Sequence, residues 1–411
     1  MSSKRYKGVV EYDAEGAVRA GPLRAGAGRL PPDGRAAAGP GAEKPSDPGL
    51  AQRQEGSWSG SPREPRGPGH PLRARRLPGE CTRKEIERVK HICLAGGHDA
   101  IISCGGGKTL DTGRAAATKS ALNVEKSPPE LIPDLGAGVA CINVPTVAAS
   151  DASTSSVSLI YTEDHVVEAT MIFPTSPDMV FVDTSVIAGS PVRLLVAGMG
   201  DALATYFEAD MCHRTGSPAV VTRCHSTRAA QALARLCFDL LMTYGVQAKL
   251  EAESGVAGPG LEAVVEANIL LSGLGFESGG ISGSHAVGHG FYHIADAFAR
   301  QPYHGEVVAY GTLTQLMLES RPPEFLDTVF GFCQAVGLPT TFEELTLTDT
   351  SEAVLERLAL AAACDVVLIS SMAGAWAHPD AQGRYFDHVV ILNAIKAVDA
   401  YGRDYRARTS A

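Results

Sequence analysis

A short apolar run, Asp-Ala-Ile-Ile-Ser-Cys (Asp99 to Cys104), leads directly into three glycines (Gly105, Gly106, Gly107) and then into a helix-forming stretch from Lys108 to about Ser120. A strand that turns through glycine into a helix is the first part of a strand–helix–strand unit. It commits the neighbouring chain to a largely parallel sheet covered by helices. The same turn points backbone N–H groups and the positive end of a helix dipole outward, where a phosphate can approach without side chains in the way. The loop is not a Walker A sequence, because Ile102 stands where that motif needs its first glycine. Nor is it Gly-x-Gly-x-x-Gly, because Leu110 fills the last position. By itself the turn is equally what a plain strand-to-helix connection uses.

The surrounding sequence extends the pattern. Thr82-Arg-Lys-Glu85 has the spacing of a capping box and opens a helix that runs to about Gly96. Ala140 to Val144, ended by Pro145, predicts a further strand, as do Val157 to Tyr161 and Met179 to Asp183. Beyond Pro191 the strand period disappears. Val192–Cys212, Ser217–Tyr244, Gly260–Leu274, Ser284–Ala299, Val307–Glu319, Asp349–Ala362 and Val389–Tyr401 predict helices rich in Ala and Leu. The expected architecture is an α/β, Rossmann-like nucleotide-binding domain over residues 79–190, followed by an all-helical domain over 191–411. No internal repeat is visible.

Residues from about Ala14 to Pro78 are different in kind. Gly, Pro, Ala and Arg dominate, and the apolar residues follow neither the helical nor the strand period. Pro31 to Gly69 cannot bury enough apolar surface to offset the entropy of ordering, so residues 1–78 are expected to be an atypical, disordered segment.

Composition removes several function classes. A formal net charge of -10 argues against nucleic acid or a membrane surface as partner. The nine cysteines contain no Cys-x-x-Cys, which suggests neither a zinc ribbon nor a disulfide framework and suits free thiols in a reducing cytosol. No apolar run reaches the ~20 residues of a membrane span. The first residues lack the apolar core of a signal peptide, so a cytoplasmic location is expected.

Metal-ligating residue types lie downstream. Asp201 sits in a core-facing helical stretch, where a carboxylate needs a partner or a metal. A second ligand one turn on would stand at position 205, which is Thr205. His285, His289 and His293 recur every four residues, near one helix face, and His304 precedes another helix. Ala286 follows His285, so the His-Glu-x-x-His protease motif is absent. The simplest open site uses Asp201, His285 and His304, three ligands that leave positions for substrate oxygens. His289 and His293 are expected to be histidines satisfied within the fold, with support of the ligands as the alternative.

From Gly79 to at least Glu319 the chain resembles the bacterial glycerol dehydrogenases, which belong to the metal-dependent iron-containing alcohol dehydrogenases. The matching pieces are Gly79–Arg88, the glycine loop through Thr112, Val144-Pro-Thr, Ser150-Asp-Ala and Pro177-Asp-Met-Val. They continue with Gly198-Met-Gly-Asp-Ala-Leu-Ala-Thr, Glu266–Gly280 and His304–Gln315, and become looser after Arg321. The resemblance implies NAD as cofactor and a divalent metal, usually Zn2+ with Fe2+ as an alternative, held by Asp201, His285 and His304. It implies pyrophosphate at Gly105, Gly106 and Gly107, cofactor contacts at Thr146, Ser155 and Tyr161, and a substrate-hydroxyl contact at Asp151. Long-chain relatives carry a fourth metal ligand where Thr205 stands, which favours the glycerol branch. The implied activity is metal-assisted oxidation of glycerol, a small polyol, to dihydroxyacetone with hydride transfer to NAD, in a homo-oligomer. Other vicinal diols or short alcohols, and a non-catalytic relative lacking its cofactor half, are the alternative readings. A phosphate-bearing substrate would need a basic cluster that is not seen.

The chain departs from the family before Gly79. The family opens with a strand, turn, helix and second strand that complete the sheet, whereas here the Gly/Pro/Arg-rich segment occupies that place. Family-like sequence resumes abruptly at Gly79, as a shifted reading frame in a GC-rich gene would produce. The expectation is a sheet without its edge strands, and no visible acidic ligand for the ribose that would decide between NAD and NADP.

Overall fold

The computed structural model describes residues 8–12, 73–77, 79–126, 128–164, 167–365, 368–373, 380 and 386–410. In chain order the first elements are β1 (Gly8–Tyr12), β2 (Arg73–Arg76), α1 (Arg83–Gly96), β3 (Ala100–Gly105) and α2 (Gly107–Ala117). They are followed by β4 (Ala121–Asn123), β5 (Glu130–Ile132), β6 (Ala140–Pro145), β7 (Val157–Tyr161), β8 (Val167–Ile172), β9 (Met179–Val180) and α3 (Thr184–Ala188). One sheet has the order β2-β1-β3-β6-β9 with every pair parallel. The strand order reverses between β1 and β3, and ligands of such sheets bind at the carboxyl ends of the strands beside that reversal. Gly105 to Gly107 lie there, at the end of β3.

Two differences from expectation concern this sheet. Segment 1–78 supplies β1 and β2, so the sheet has strands beyond β3. Gly-Val-Val-Glu-Tyr pairs two β-branched residues with an aromatic, which suits a pleated strand, and the charged Arg-Ala-Arg-Arg suits a sheet edge. The expected disorder of residues 1–7, 13–72 and 78 lies outside the described residues. A second, antiparallel sheet, β5-β4-β8-β7, was not expected. β4 and β5 have three residues each, too few to display a period.

The α1 helix begins as the sequence indicates. Thr82 Oγ1 accepts from the Glu85 N–H at 3.3 Å, although the Glu85 carboxylate turns to Arg88 at 2.7 Å instead of completing the box. Ile86, Val89 and Cys93 of α1 pack with Ile101, the three alanines Ala115, Ala116 and Ala117, and Ile160 and Met171 of the second sheet. Arg114, fully buried on α2, donates to Asp111 Oδ1 and Ser158 Oγ, each at 2.9 Å, and to the carbonyls of Val157 and Ala152. It ties α2 to β7 and to the loop that follows β6.

The remainder is helical: α4 (Val192–Thr215), α5 (Arg228–Glu253), α6 (Pro259–Glu266), a π turn (Ala267–Leu271), α7 (Ser272–Gly279) and α8 (Gly283–Gly290). A 3-10 turn (Phe291–Ala297) precedes α9 (His304–Leu318), α10 (Pro323–Val336), α11 (Glu352–Ala363), α12 (Ser370–Ala373) and α13 (His388–Thr409). Met199 and Phe207 of α4, Leu241 of α5, Tyr310 and Leu313 of α9 and Ile395 of α13 share one core. The helix expected from Ser217 begins at Arg228, because Pro218 and His225 form an antiparallel bridge and Thr227 caps the helix through the Ala230 N–H. The helix expected over 284–299 gives way to the 3-10 turn at Phe291. That break carries His293 out to solvent, off the face shared by His285 and His289. Among the described residues no helix is long and apolar enough to cross a membrane.

Candidate active site

Asp201 projects from α4, His285 from α8, and His304 is the first residue of α9. Close backbone packing brings them together. A Cβ on Gly305 would lie 1.7 Å from the Ala197 carbonyl oxygen, and one on Gly200 would lie 2.3 Å from the Gly305 carbonyl oxygen. Only glycine lets the start of α9 rest directly on α4, and that contact places His304 over Asp201. Asp201 Oδ1 is 3.4 Å from the Nε2 of His285 and 3.4 Å from the Nε2 of His304. One donor atom from each residue falls within a 4.8 Å cluster. Metal bonds of ~2.1 Å at tetrahedral angles put ligand atoms about 3.4 Å apart, so the three donors fit a single small divalent ion.

Residues behind the cluster orient it. Glu208, fully buried two turns along α4, has Oε2 2.7 Å from His285 Nδ1. Its Oε1 accepts from the backbone N–H groups of Ser282 (2.8 Å) and His285 (2.9 Å). His304 Nδ1 lies 2.7 Å from the Tyr292 hydroxyl. Arg193 forms a two-pronged pair with Glu306, both contacts at 2.6 Å, and the Glu306 carboxylate also accepts from the Tyr303 N–H. These contacts fix the first turn of α9 and hence His304. His289 stacks on Tyr292 and adjoins His304, with Asp365 3.7 Å from its Nδ1. Sequence reading considered position 205 as the next ligand along α4 and missed Glu208, although a spacing of seven puts Asp201 and Glu208 on one face.

The electrostatics favour a bound cation. Burial pushes the His285 imidazole down, but the carboxylates of Glu208 and Asp201 outweigh it and hold it at about 10. Burial pushes Asp201 up, and the two imidazoles more than reverse that, holding it well below the usual carboxylate range. Asp151 is raised, by burial first and by the Asp201 charge second. The carboxylates of Asp201 and Glu208 facing the two imidazoles make a pocket that holds positive charge.

The glycine loop opens α2 next to this pocket. Gly106 is the N-cap, with no side chain capping the helix. Among the described residues a Cβ on Gly107 would meet nothing nearer than Ala152 Cβ at 3.9 Å, so their packing does not impose glycine here. A helix N-terminus opened by glycine is the kind of backbone that can hold a phosphate. The Thr146 N–H donates to the Gly105 carbonyl at 3.1 Å, which brings Thr146 to the loop. Ser155 is buried, with Oγ accepting from the Val157 N–H at 3.0 Å. Tyr161 ends β7, its N–H donating to the Cys81 carbonyl. Asp151 lies on the loop after β6, and Ser272 Oγ donates to its Oδ2 at 3.1 Å.

Residues 73–184 match the family described as iron-containing alcohol dehydrogenase. The chain is 42% identical over 299 residues to a glycerol dehydrogenase of Citrobacter freundii, covering 73% of this chain and 76% of that one. It is 41% identical over 325 residues to a glycerol dehydrogenase of Thermotoga maritima, covering 79% and 81%. The crystal structure of glycerol dehydrogenase from Schizosaccharomyces pombe superposes with a TM-score of 0.71 at 33% identity, covering 83% of this chain and 79% of that one. With the parallel sheet, the glycine loop and the Asp-His-His cluster in place, the chain belongs to the iron-containing alcohol dehydrogenase family.

Proposed function

We propose that this chain is an NAD-dependent, metal-assisted oxidoreductase that converts glycerol to dihydroxyacetone. The observation that carries the reading is the Asp201, His285 and His304 cluster beside Asp151 and the glycine loop. A divalent metal held by those three residues supplies a Lewis acid that lowers the pKa of a nearby hydroxyl. NAD supplies the hydride acceptor. With both groups bound, glycerol and NAD would give one ketone, one NADH and one proton, which balances the two-electron oxidation.

The residues of the chain hold and orient the reactants. Gly105, Gly106 and Gly107 take the cofactor diphosphate on the α2 N–H groups, and Thr146, Ser155 and Tyr161 line the cofactor's path. Asp151 would accept a hydrogen bond from the hydroxyl next to the one oxidised and so orient the polyol. Two imidazoles and one carboxylate suit Zn2+, with Fe2+ as the alternative for the same donor set. Metal analysis of the purified protein separates the two.

We place the functional units at 79–190 for the nucleotide and 191–411 for metal and substrate. Two hydrophobic cores support that division, one within 81–173 and one chiefly in the helices after 191, which Ala148, Ile187 and Ala188 join. Exposed Leu236, Val246 and Leu250 on α5, with Leu270 and Leu274 on the π turn and α7 that pack against α5, support a homo-oligomer, and sedimentation velocity tests it. Nine free cysteines suit a reducing, cytoplasmic setting. The test of the function is NADH formation from glycerol by the zinc-loaded chain, preceded by calorimetric titration of NAD. Saturable NAD binding without turnover of glycerol or any other vicinal diol would refute it.

A further inference from the structure

A run of hydroxyl groups connects α4 to Asp151. Ser272 Oγ donates to Asp151 Oδ2 at 3.1 Å, and Thr205 Oγ1 lies 3.0 Å from Ser272 Oγ. Each hydroxyl has one proton to give. Because Ser272 gives its proton to the carboxylate, Thr205 must donate to Ser272, and the run has a single direction: Thr205 to Ser272 to Asp151. Thr205 and Ser272 are both buried, so water does not compete for these contacts. Among the described residues the second carboxylate oxygen, Asp151 Oδ1, has no hydrogen-bond partner.

The helix geometry is arranged around the same contact. Ser272 is the first residue after the π turn Ala267–Leu271, whose closing bond runs from the Ser272 N–H to the Ala267 carbonyl. A regular α-helix without the extra residue would turn Ser272 away by roughly 100°. Inside the turn, Asn268 Nδ2 donates to the Ala148 carbonyl at 2.9 Å and the Leu195 carbonyl at 3.2 Å. The Thr154 hydroxyl donates to the Ile269 carbonyl. A Cβ on Gly273 would lie 2.4 Å from Thr154 Oγ1 and 3.3 Å from Asp151 Cβ, so glycine there lets the loop rest on α7. The π turn thus grips the 148–154 loop at several points, and one of them is the carboxylate of Asp151.

We propose that Ser272 and Thr205 are positioning residues: they hold Asp151 by one oxygen so that the other meets the hydroxyl beside the one oxidised, and so set a preference for vicinal diols over simple alcohols. This rests on the function proposed above. Among the described residues the side-chain hydrogen bonds of Thr205 and Ser272 run to each other and to Asp151, not to Asp201, His285, His304 or the glycine loop, so both act through Asp151.

The experiment compares glycerol with propan-2-ol, which lacks the neighbouring hydroxyls, in the zinc-loaded protein. In Ser272→Ala, kcat/KM for glycerol is expected to fall about tenfold, the loss of one hydrogen bond to a charged group, while kcat/KM for propan-2-ol stays within about twofold. Thr205→Val is expected to change the ratio in the same direction by less, and Thr205→Ser to restore it. A second readout needs no turnover: the rise in unfolding temperature that glycerol gives the zinc-loaded protein should shrink in Ser272→Ala, with the zinc content unchanged. An unchanged glycerol-to-propan-2-ol ratio in Ser272→Ala, with Asp151→Asn lowering that ratio, overturns the positioning role alone. A wild-type protein that oxidises neither alcohol overturns the proposed function, and this inference with it.

Discussion

Glu208 Oε2 lies 2.7 Å from His285 Nδ1, and the same carboxylate also holds the His285 backbone N–H. The ring is thereby fixed in position, with Nε2 turned toward Asp201. Glu208→Gln is expected to weaken zinc binding by about 10- to 100-fold, the usual effect of losing a carboxylate behind a metal-binding histidine. A competition titration against a chromogenic chelator measures it, and an unaltered affinity would remove Glu208 from the metal site.

Gly305 separates α9 from α4 by less than a methyl group allows. Gly305→Ala must push the start of α9 away from Ala197 and carry His304 with it. A loss of about 1–3 kcal/mol of stability is expected. Zinc affinity should fall as well, because His304 no longer meets Asp201. Urea unfolding and zinc titration of the variant check both; wild-type affinity with reduced stability would separate packing from the site.

Arg114 is the one large cation fully buried among the described residues, and its guanidinium serves Asp111, Ser158 and two backbone carbonyls. Arg114→Met leaves the half-buried Asp111 carboxylate with the Leu159 N–H but without its cation. A destabilisation of about 3–5 kcal/mol is expected, read as a lower urea midpoint. A shift under about 1 kcal/mol would mean the α2–β7 tie is dispensable.

Asp327 receives both prongs of Arg408 and the Tyr401 hydroxyl, and these hold its carboxyl at about 2. A carboxyl depressed in the folded state adds stability above its unfolded pKa of about 3.9 and loses it as the pH falls toward the folded value. The difference in urea midpoint between wild type and Asp327→Asn should therefore be present at pH 5 and smaller at pH 3. A difference independent of pH would contradict the assignment.

Much of the site was legible because its parts are local. The turn from Cys104 through Gly107 into α2 announces itself by composition, and Asp201, His285 and His304 stand out as ligand types in apolar helical sequence. Glu208 and Ser272 were not legible. Each is an ordinary polar residue in a helix, and its role exists only after α4, α7 and α8 pack. Among the elements, β4 and β5 are too short to show a period. α10 was also overlooked, although Pro322 and Pro323 before an apolar periodic run are a helix-start signal. β1 lay before the Gly/Pro-rich stretch, whose composition masked the strand pattern of Val9, Val10 and Tyr12.

The most direct measurement is turnover of glycerol with NAD by protein stripped of metal with a chelator and then titrated with Zn2+. Activity is expected to vanish on stripping and to return at one equivalent of zinc per chain. The Asp201→Asn protein should recover none under the same titration, while keeping the wild-type unfolding profile in the metal-free state. Full turnover by the stripped wild-type protein, or recovery by Asp201→Asn equal to wild type, would contradict a metal centre built from Asp201, His285 and His304.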